Sequence, residues 1–462
     1  MIKLTLAQAA TIIDAQLIGA KDIVFHGISH DSRMIQPNEL FIAIIGEQFD
    51  GHQFITAAEQ KNAAAVLVSK EVQTKIPQLI VKDTIKALGQ LANYWREQFD
   101  LTLIGVTGSN GKTTVKNMLT TILIEHCQNS DAVLSTIGNL NNHIGLPLTI
   151  CQLNSNHQFA VIEMGMNHFA EIDYLTKISK PTIAIITNAA ESHLAGVGGT
   201  VAGVAKAKGE IFNGLNKNGI AILNRDDNFY DYWLKIINPK KHITFGQNNT
   251  ADFFIEESND NLTILHALNN KIAIKLNLPG SHNLLNAATA AAATFAAGIS
   301  LATIKDGLAK VESAKGRMQH FPLKNGINLI DDTYNANPFS LDAAVATLKK
   351  YPTKKILILG DMKELGDNEI ELHAKSGEKI RAAGIDQLFT FGNLSAATSK
   401  TFGENAFHFN EQQKLIAALI PNIQQNTTIL VKGSRSMKME NIIQALLKHV
   451  HEITYTFRRD SV

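Results

Sequence analysis

The residues Gly105-Val-Thr-Gly-Ser-Asn-Gly-Lys-Thr-Thr114 carry the most chemically specific spacing in the chain. Gly108, Ser109, Asn110 and Gly111 are small residues whose backbone N–H groups can wrap a phosphate. Lys112 can reach β/γ-phosphates, the Thr113 hydroxyl can ligate Mg²⁺, and Thr114 continues into the next element. The usual spacing asks for a glycine five residues before Gly111, where this chain has Val106; its glycines are Gly105 and Gly108. An apolar run (LTLIGV) precedes the loop and a helix from about Thr113 follows it, so a positive helix end joins the amide groups. Together these imply binding of a nucleoside triphosphate. Such a site needs a carboxylate after a second apolar strand to hold the magnesium, and Glu163 in FAVIEMG fits. His193 in TNAAESHLAG follows the run TIAIITN, on the side where open α/β sheets bind ligands. A lone histidine there is more often structural than a ligand. Lys208 in AKAKGEIF reads, on residue type alone, as a solvated helix lysine. The GTPase base-reading string Asn-Lys-x-Asp is absent; the nearest match, NKNG at Asn216, lacks the aspartate.

These residues need elements to hold them. At 462 residues, the chain is too long for one core and suggests about three domains of ~150 residues. Charged residues make up only 18% of an otherwise ordinary globular composition, which excludes a disordered chain. Lysine plus arginine number 43 against 42 acids, so no global field draws the protein to nucleic acid or anionic membrane. Cys127 and Cys151 are too few for a disulfide framework or a Cys-rich zinc site. MIKLTLAQAATIIDAQ contains Asp14 and no long apolar core, unlike a secretory signal. The most apolar stretch, Leu284 to Ile299, is shorter than the ~20 residues a membrane span needs. A soluble cytoplasmic protein is expected.

Short β-rich runs (IVFHGIS, LFIAIIG, AAVLVS, QLIVK) alternate with helix-like segments over residues 1–83. A helical stretch near Thr84 to Phe99 leads into the phosphate loop. Strand-like FAVIEMG, TIAIITN and GIAILN then alternate with helical segments, which predicts a mainly parallel sheet covered on both faces over 84–314. The pattern restarts near Ser313 to Arg317 with INLIDDTY, KKILILGDM, QLFTFG and TTILVKGS, predicting a Rossmann-like domain over 315–462.

TGSNGKTT, the Glu163 strand, NAAESHLAG, AKAKGEIF, LPGSHNLLNA, GRMQ and DDTYNANP follow one another in the order seen in Mur ligases. The chain resembles that family, the ATP-dependent amide-bond ligases of the peptidoglycan peptide stem, over essentially its whole length, and the atypical glycine spacing is the family's form. GNLNNHIGLPLT, VAGVAKAKGEIF, DDTYNANPFS with GDMKELG, and VKGSRSMKME resemble the branch that adds D-alanyl-D-alanine to UDP-N-acetylmuramoyl-tripeptide. The Asp-Asn-Pro-Arg string typical of the diaminopimelate-adding branch is absent. Folylpolyglutamate synthases share the architecture but not DDTYNANP or VKGSRS. A sister ligase adding one amino acid and a regulatory nucleotide-binding protein remain the alternatives.

The resemblance implies three α/β domains: an N-terminal UDP-sugar-binding domain, a central P-loop ATPase and a C-terminal Rossmann-like domain. It implies ATP and two Mg²⁺ ions, one on Thr113 and Glu163 and one near His193. It also implies carbamylation of Lys208 by CO₂, which makes a metal-binding carboxylate from a cation. Asn283 matches the residue at the adenine, with His282 beside it; Arg317 would reach the phosphates and Asp332 the ribose. Asp31, Ser32 and Arg33 resemble the uridine-diphosphate contact, and Asn142 a contact to the UDP-sugar. Lys432, Ser434 and Arg435 could receive the dipeptide carboxylate. The family is usually monomeric.

Overall fold

A computed structural model describes residues 1–46, 49–257, 263–278 and 280–459 of the chain. Pro279 of LPGSHNLLNA lies outside the described residues.

The unbroken apolar run before the phosphate loop suits a strand buried on both faces. It forms Thr102–Thr107, with Leu103, Ile104 and Val106 fully buried. Successive side chains point to opposite faces, so Leu103 joins one core cluster while Ile104 and Val106 join another. This strand lies between parallel partners Phe159–Glu163 and Ile183–Ile186 in a nine-stranded sheet. Val133–Ser135 adds to one side; Ile220–Asn224, Lys241–Gly246 and Phe253–Glu257 continue the other in parallel. Thr263–Ala267 and Asn270–Ile274 then close that edge as an antiparallel meander.

Helices Lys112–Cys127 and Ser281–Ala296 cover the Ile104 face. The second contains the alanine-rich stretch, and Ala287, Ala288 and Ala290 to Ala293 are fully buried in it. Alanine lets this helix approach its neighbours closely, and its Asn286 lies against Gly111 of the phosphate loop. Among the described residues no helix is long and apolar enough to cross a membrane.

The other face receives helices Glu171–Ser179 and Val201–Gly209, and also Thr84–Arg96. Leu88 and Leu91 of Thr84–Arg96 share one core with Leu6, Phe25, Leu40 and Leu67 of the amino-terminal unit. That unit is a five-stranded sheet, Gln16–Ile18, Gln78–Ile80, Ala65–Val68, Leu40–Ile42 and Ile28–Ser29 in spatial order, with only the first pair antiparallel. A two-stranded ribbon of Lys3–Thr5 and Val24–His26 sits beside it.

The carboxyl-terminal unit is a six-stranded sheet. The four strands expected from its sequence are Asn328–Asp332, Thr427–Lys432, Lys354–Gly360 and Gln387–Phe391, all parallel. Two edge strands were not foreseen: Gln319–Pro322, antiparallel, and Ala406–Phe409, parallel. In a parallel sheet every strand delivers its loops to the same carboxyl edge. Here residues from the carboxyl edges of the nine- and six-stranded sheets line one cleft of 980 Å³.

Candidate active site

The phosphate loop turns where only glycine turns easily. Gly108 and Gly111 have φ of 151° and 83°. A Cβ on Gly108 would collide with Thr187 Oγ1, and one on Gly111 would lie 2.5 Å from Asn286 Oδ1. The loop is braced from the next strand's end: Ser109 N donates to Asn188 O at 2.9 Å and Asn110 N to Asn188 Oδ1 at 3.0 Å. Thr187 Oγ1 donates to Asn110 O at 2.6 Å, and Ala190 N to Ser109 Oγ at 2.9 Å. Asn188 and its neighbours thus hold both the loop and the approach to His193.

Helix Lys112–Cys127 begins inside this brace. Lys112 Nζ donates to Gly108 O at 2.6 Å, folded over the loop it would share with phosphate oxygens. Burial lowers its pKa, against the opposing pull of Glu163. Thr113 Oγ1 donates to Glu163 Oε2 at 2.9 Å, so the two expected magnesium ligands are side by side. The other carboxylate oxygen accepts from Asn141 Nδ2 at 2.7 Å. Lys116, one turn beyond Lys112 and buried, donates from Nζ to Thr136 O at 2.9 Å. These bonds tie the 136–142 segment to the phosphate-loop helix.

The carboxyl-terminal unit reaches the same atoms. Arg317 NH2 donates to Thr113 Oγ1 at 3.0 Å while its guanidinium lies over the Tyr334 ring, 4.0 Å from the centroid. Asn337 Nδ2 donates to Asn110 Oδ1 at 3.0 Å. Asp332 accepts from Met318 N at 3.2 Å and from Lys432 Nζ at 2.6 Å. Asp332 and Lys432 are opposite one another in the parallel ladder, and a buried cation beside a carboxylate stays paired. Asn283 is buried at the start of its helix, where its Oδ1 accepts from Asn286 Nδ2 at 3.2 Å. Burial lowers the pKa of His282 beside it.

Lys208 departs most from its residue-based reading. It is 2% exposed, in the last turn of Val201–Gly209 and among the cleft-lining residues. Burial, and then the charge of Lys112, lower its pKa well below that of an ordinary lysine. His193 also lines the cleft, and its Nδ1 lies 2.7 Å from Glu364 Oε2 of the carboxyl-terminal unit.

The cleft therefore gathers Ser109, Asn110, Gly111, Lys112, Thr114, Asn142, Glu163, His193, Lys208, Asn283, Arg317, Asp332 and Lys432. Asn142 lies just before helix Gly145–Ile150, its Oδ1 accepting from Gly145 N at 2.9 Å. Gly108 and Thr113 belong to the phosphate loop without being among the lining residues, and Asp31, Ser32, Arg33, Ser434 and Arg435 lie away from it. Ser32 and Arg33 sit in the amino-terminal unit, with Arg33 largely exposed and paired to Asp31 at 2.7 Å. Ser434 is buried behind the cleft, accepting from Lys363 N at 2.8 Å, and Arg435 turns to Glu440 at 2.9 Å. Residue types did not single out Lys116, Asn141, Asn337 or Glu364. The last three stand in the segments GNLNNHIG, DDTYNANP and GDMKELG, so only their roles were hidden.

The donor sets can be judged against magnesium. Mg²⁺ favours one or two protein oxygens, with phosphates and water completing an octahedron. Thr113 and Glu163 suit that directly. His193 and an unmodified Lys208 offer no oxygen between them, and no cluster of three His, Cys, Asp or Glu occurs among the described residues.

A phosphate loop at the edge of one parallel sheet, with Arg317 and Asp332 of a second unit lining the same cleft, is an arrangement suited to an ATP-dependent ligase. The chain belongs to the Mur ligase family: residues 24–96 match its catalytic domain, 106–294 its middle domain and 316–435 its glutamate ligase domain. The UDP-N-acetylmuramoyl-tripeptide–D-alanyl-D-alanine ligase of Haemophilus influenzae is 42% identical over 454 residues, spanning 96% of this chain and 99% of its own. A crystal structure of MurF from Acinetobacter baumannii superposes with a TM-score of 0.90 at 33% identity, covering 97% of this chain and 99% of that one. MurF of Thermotoga maritima in complex with ADP gives 0.81 at 26% identity, covering 94% and 100%.

Proposed function

We propose that the chain joins D-alanyl-D-alanine to UDP-N-acetylmuramoyl-tripeptide at the expense of ATP, giving the pentapeptide, ADP and phosphate in the cytoplasmic assembly of peptidoglycan precursors. The observation that carries this reading is the pairing of Thr113 with Glu163 and Arg317 in a cleft shared by two domains, in a chain similar along its length to ligases of that reaction.

The tripeptide carboxylate attacks the γ-phosphate, and ADP leaves with the broken P–O bond's electrons. The dipeptide amine then attacks the resulting acyl phosphate, and phosphate departs from a tetrahedral intermediate. Two anions must meet in the first step, so the site needs positive charge where charge develops. Lys112 of the phosphate loop and Arg317 of the carboxyl-terminal unit would both face the phosphates. Asn283 holds the adenine and Asp332 the ribose. Thr113 and Glu163 would hold one Mg²⁺ and, on the family resemblance, His193 with a carbamylated Lys208 a second; bound there, the ions would offset phosphate charge.

Lys208 acts here as its carbamate. Carbamylation needs an uncharged amine, and burial beside Lys112 favours that form. The resulting carbamate supplies the oxygen that His193 and the bare amine lack. Ser32, Arg33 and Asn142 hold the UDP-sugar. Lys432, Ser434 and Arg435 are assigned to the dipeptide carboxylate; for the last two the assignment stands on the resemblance alone. We divide this monomer into domains 1–83, 84–314 and 315–462.

Phosphate release from ATP, measured with UDP-N-acetylmuramoyl-tripeptide and with or without D-Ala-D-Ala, tests the reading. Turnover should require both. Turnover driven by a free amino acid instead, or indifferent to the UDP-sugar, would reject it.

A further inference from the structure

Two bonds tie the carboxyl-terminal unit to the phosphate loop. One runs from Arg317 to Thr113; the other joins two neutral amides, Asn337 Nδ2 donating to Asn110 Oδ1 at 3.0 Å. The second meets the loop between its two glycines of positive φ, Gly108 and Gly111.

Asn337 is 8% exposed and is the N-cap of helix Pro338–Lys349. Its Oδ1 accepts from Ser340 N at 2.8 Å, and its own N donates to Ser340 Oγ at 3.0 Å. A backbone N–H can only donate, so the amide atom facing it is oxygen and Nδ2 is turned toward Asn110. The atom of Asn110 that meets it must then accept, which fixes the second amide as well. The cap is itself held firmly. Leu341, Ala344 and Leu348 of its helix are buried in one core with Leu357 and Leu359. Lys432 Nζ donates to Asn335 O at 3.0 Å and to Asp332 Oδ2 at 2.6 Å, which ties the segment before the helix to the residue expected at the ribose.

The central unit holds the backbone of Asn110: its N donates to Asn188 Oδ1 at 3.0 Å and its O accepts from Thr187 Oγ1 at 2.6 Å. Its side chain is held differently. Asn337 is the partner of Oδ1, whereas Nδ2 is buried with no partner among the described residues. A buried donor left unmade is costly, so without Asn337 this amide would turn to satisfy it. We propose that Asn337 is a positioning residue for the phosphate loop: it fixes the Asn110 side chain from the carboxyl-terminal unit and so completes the triphosphate-binding form of the loop only where the two units are docked. The inference rests on the reading of the loop as a triphosphate site.

The test is calorimetric titration of the full chain with a non-hydrolysable ATP analogue and Mg²⁺, comparing wild type with Asn337→Ser, Asn110→Ser and the pair. Serine caps a helix about as well as asparagine but is too short to reach Asn110. Asn337→Ser should therefore melt within a few degrees of wild type yet bind the analogue about 3–10-fold more weakly, the effect of one hydrogen bond. In turnover assays KM for ATP should rise by a similar factor, with kcat within about twofold. The double variant should bind about as weakly as Asn110→Ser alone, because both changes break the same bond. Unchanged affinity in Asn337→Ser would overturn the proposal and leave Asn337 a helix cap. Additive losses in the double variant would also overturn it, making Asn337 a direct contact of the nucleotide. Lys112→Met distinguishes this role from the reading of the loop. If Lys112→Met weakens the analogue and Asn337→Ser does not, only the role of Asn337 fails; if Lys112→Met leaves the affinity unchanged, the triphosphate reading fails and the proposal with it.

Discussion

Replacing Lys208 by alanine separates a buried structural lysine from a carbamate at the reacting phosphate. Lys208 is 2% exposed and lies close enough to Lys112 for that charge to lower its pKa. Truncating a long buried side chain to alanine costs about 2–5 kcal/mol through the cavity left behind. Against this, the variant no longer buries an amine, which recovers about 1–3 kcal/mol. The net destabilisation should be ~1–2 kcal/mol, or a drop of roughly 2–8 °C in the melting temperature of a unit this size. The rate effect is larger. Losing an electrostatic group at the transferring phosphate costs ~10²-fold or more, about 2.7 kcal/mol of transition-state stabilisation. The enzyme should thus remain folded at 25 °C yet release phosphate at under a hundredth of the normal rate. Short-chain carboxylates such as acetate or propionate should restore part of that rate by occupying the vacated space with an oxygen donor. A Lys208→Ala enzyme that keeps more than about a tenth of the wild-type rate would refute the reasoning. Lys208→Arg is less informative than its charge suggests, because overpacking this buried position costs ~1–3 kcal/mol by itself. An inactive arginine variant is therefore ambiguous, whereas a fully active one removes the carbamate.

Lys112→Met keeps the buried stem and removes only the charge, so turnover should fall by ~10²–10³-fold with a melting temperature within a few degrees of wild type; calorimetry beside the phosphate assay checks the split, and a residual rate above about a tenth rejects the phosphate role. Arg317→Met removes the bond to Thr113 and the stack on Tyr334, and titration calorimetry should find ATP binding about 10–100-fold weaker, as for a charged hydrogen bond of ~1.5–3 kcal/mol; unchanged affinity would release the carboxyl-terminal unit from the nucleotide. Asp361 has its pKa raised by burial but lowered further by the Ser395 N–H, the Lys363 ammonium and the Leu394 N–H, so its net value lies below an ordinary carboxylate's. The stability it contributes is therefore present above about pH 4 and lost as pH falls through the lowered value. Melts of wild type and Asp361→Asn should differ at pH 6 and converge toward pH 3; a constant gap would rule out that contribution.

What the amino-acid sequence determined alone was local. The phosphate loop is legible because strand, glycine turn, lysine and helix are contiguous, and steric limits at Gly108 and Gly111 act within a few residues. Glu163 was legible for the same reason: it ends an apolar run, and the end of a buried parallel strand faces the ligand edge. The alternation of strands and helices likewise foretold the parallel sheets, but not the meander Thr263–Ala267 and Asn270–Ile274 or the edge strands Gln319–Pro322 and Ala406–Phe409. Short edge segments carry little periodicity and take their pairing from what lies beside them.

Tertiary structure decided the rest. Lys208 looks solvated by residue type, and becomes buried because its helix is packed against the sheet, with Trp233 Nε1 donating to Ala205 O of the same helix at 3.0 Å. Arg435 looks suited to a carboxylate and is turned toward Glu440 instead. Asn141 meets Glu163, Asn337 meets Asn110 and Glu364 meets His193 only because separate loops arrive at one cleft. Short-range sterics and hydrophobic periodicity are written along the chain. Burial and the meeting of distant charges depend on how whole sheets dock, and that is set by packing between elements that no local pattern records.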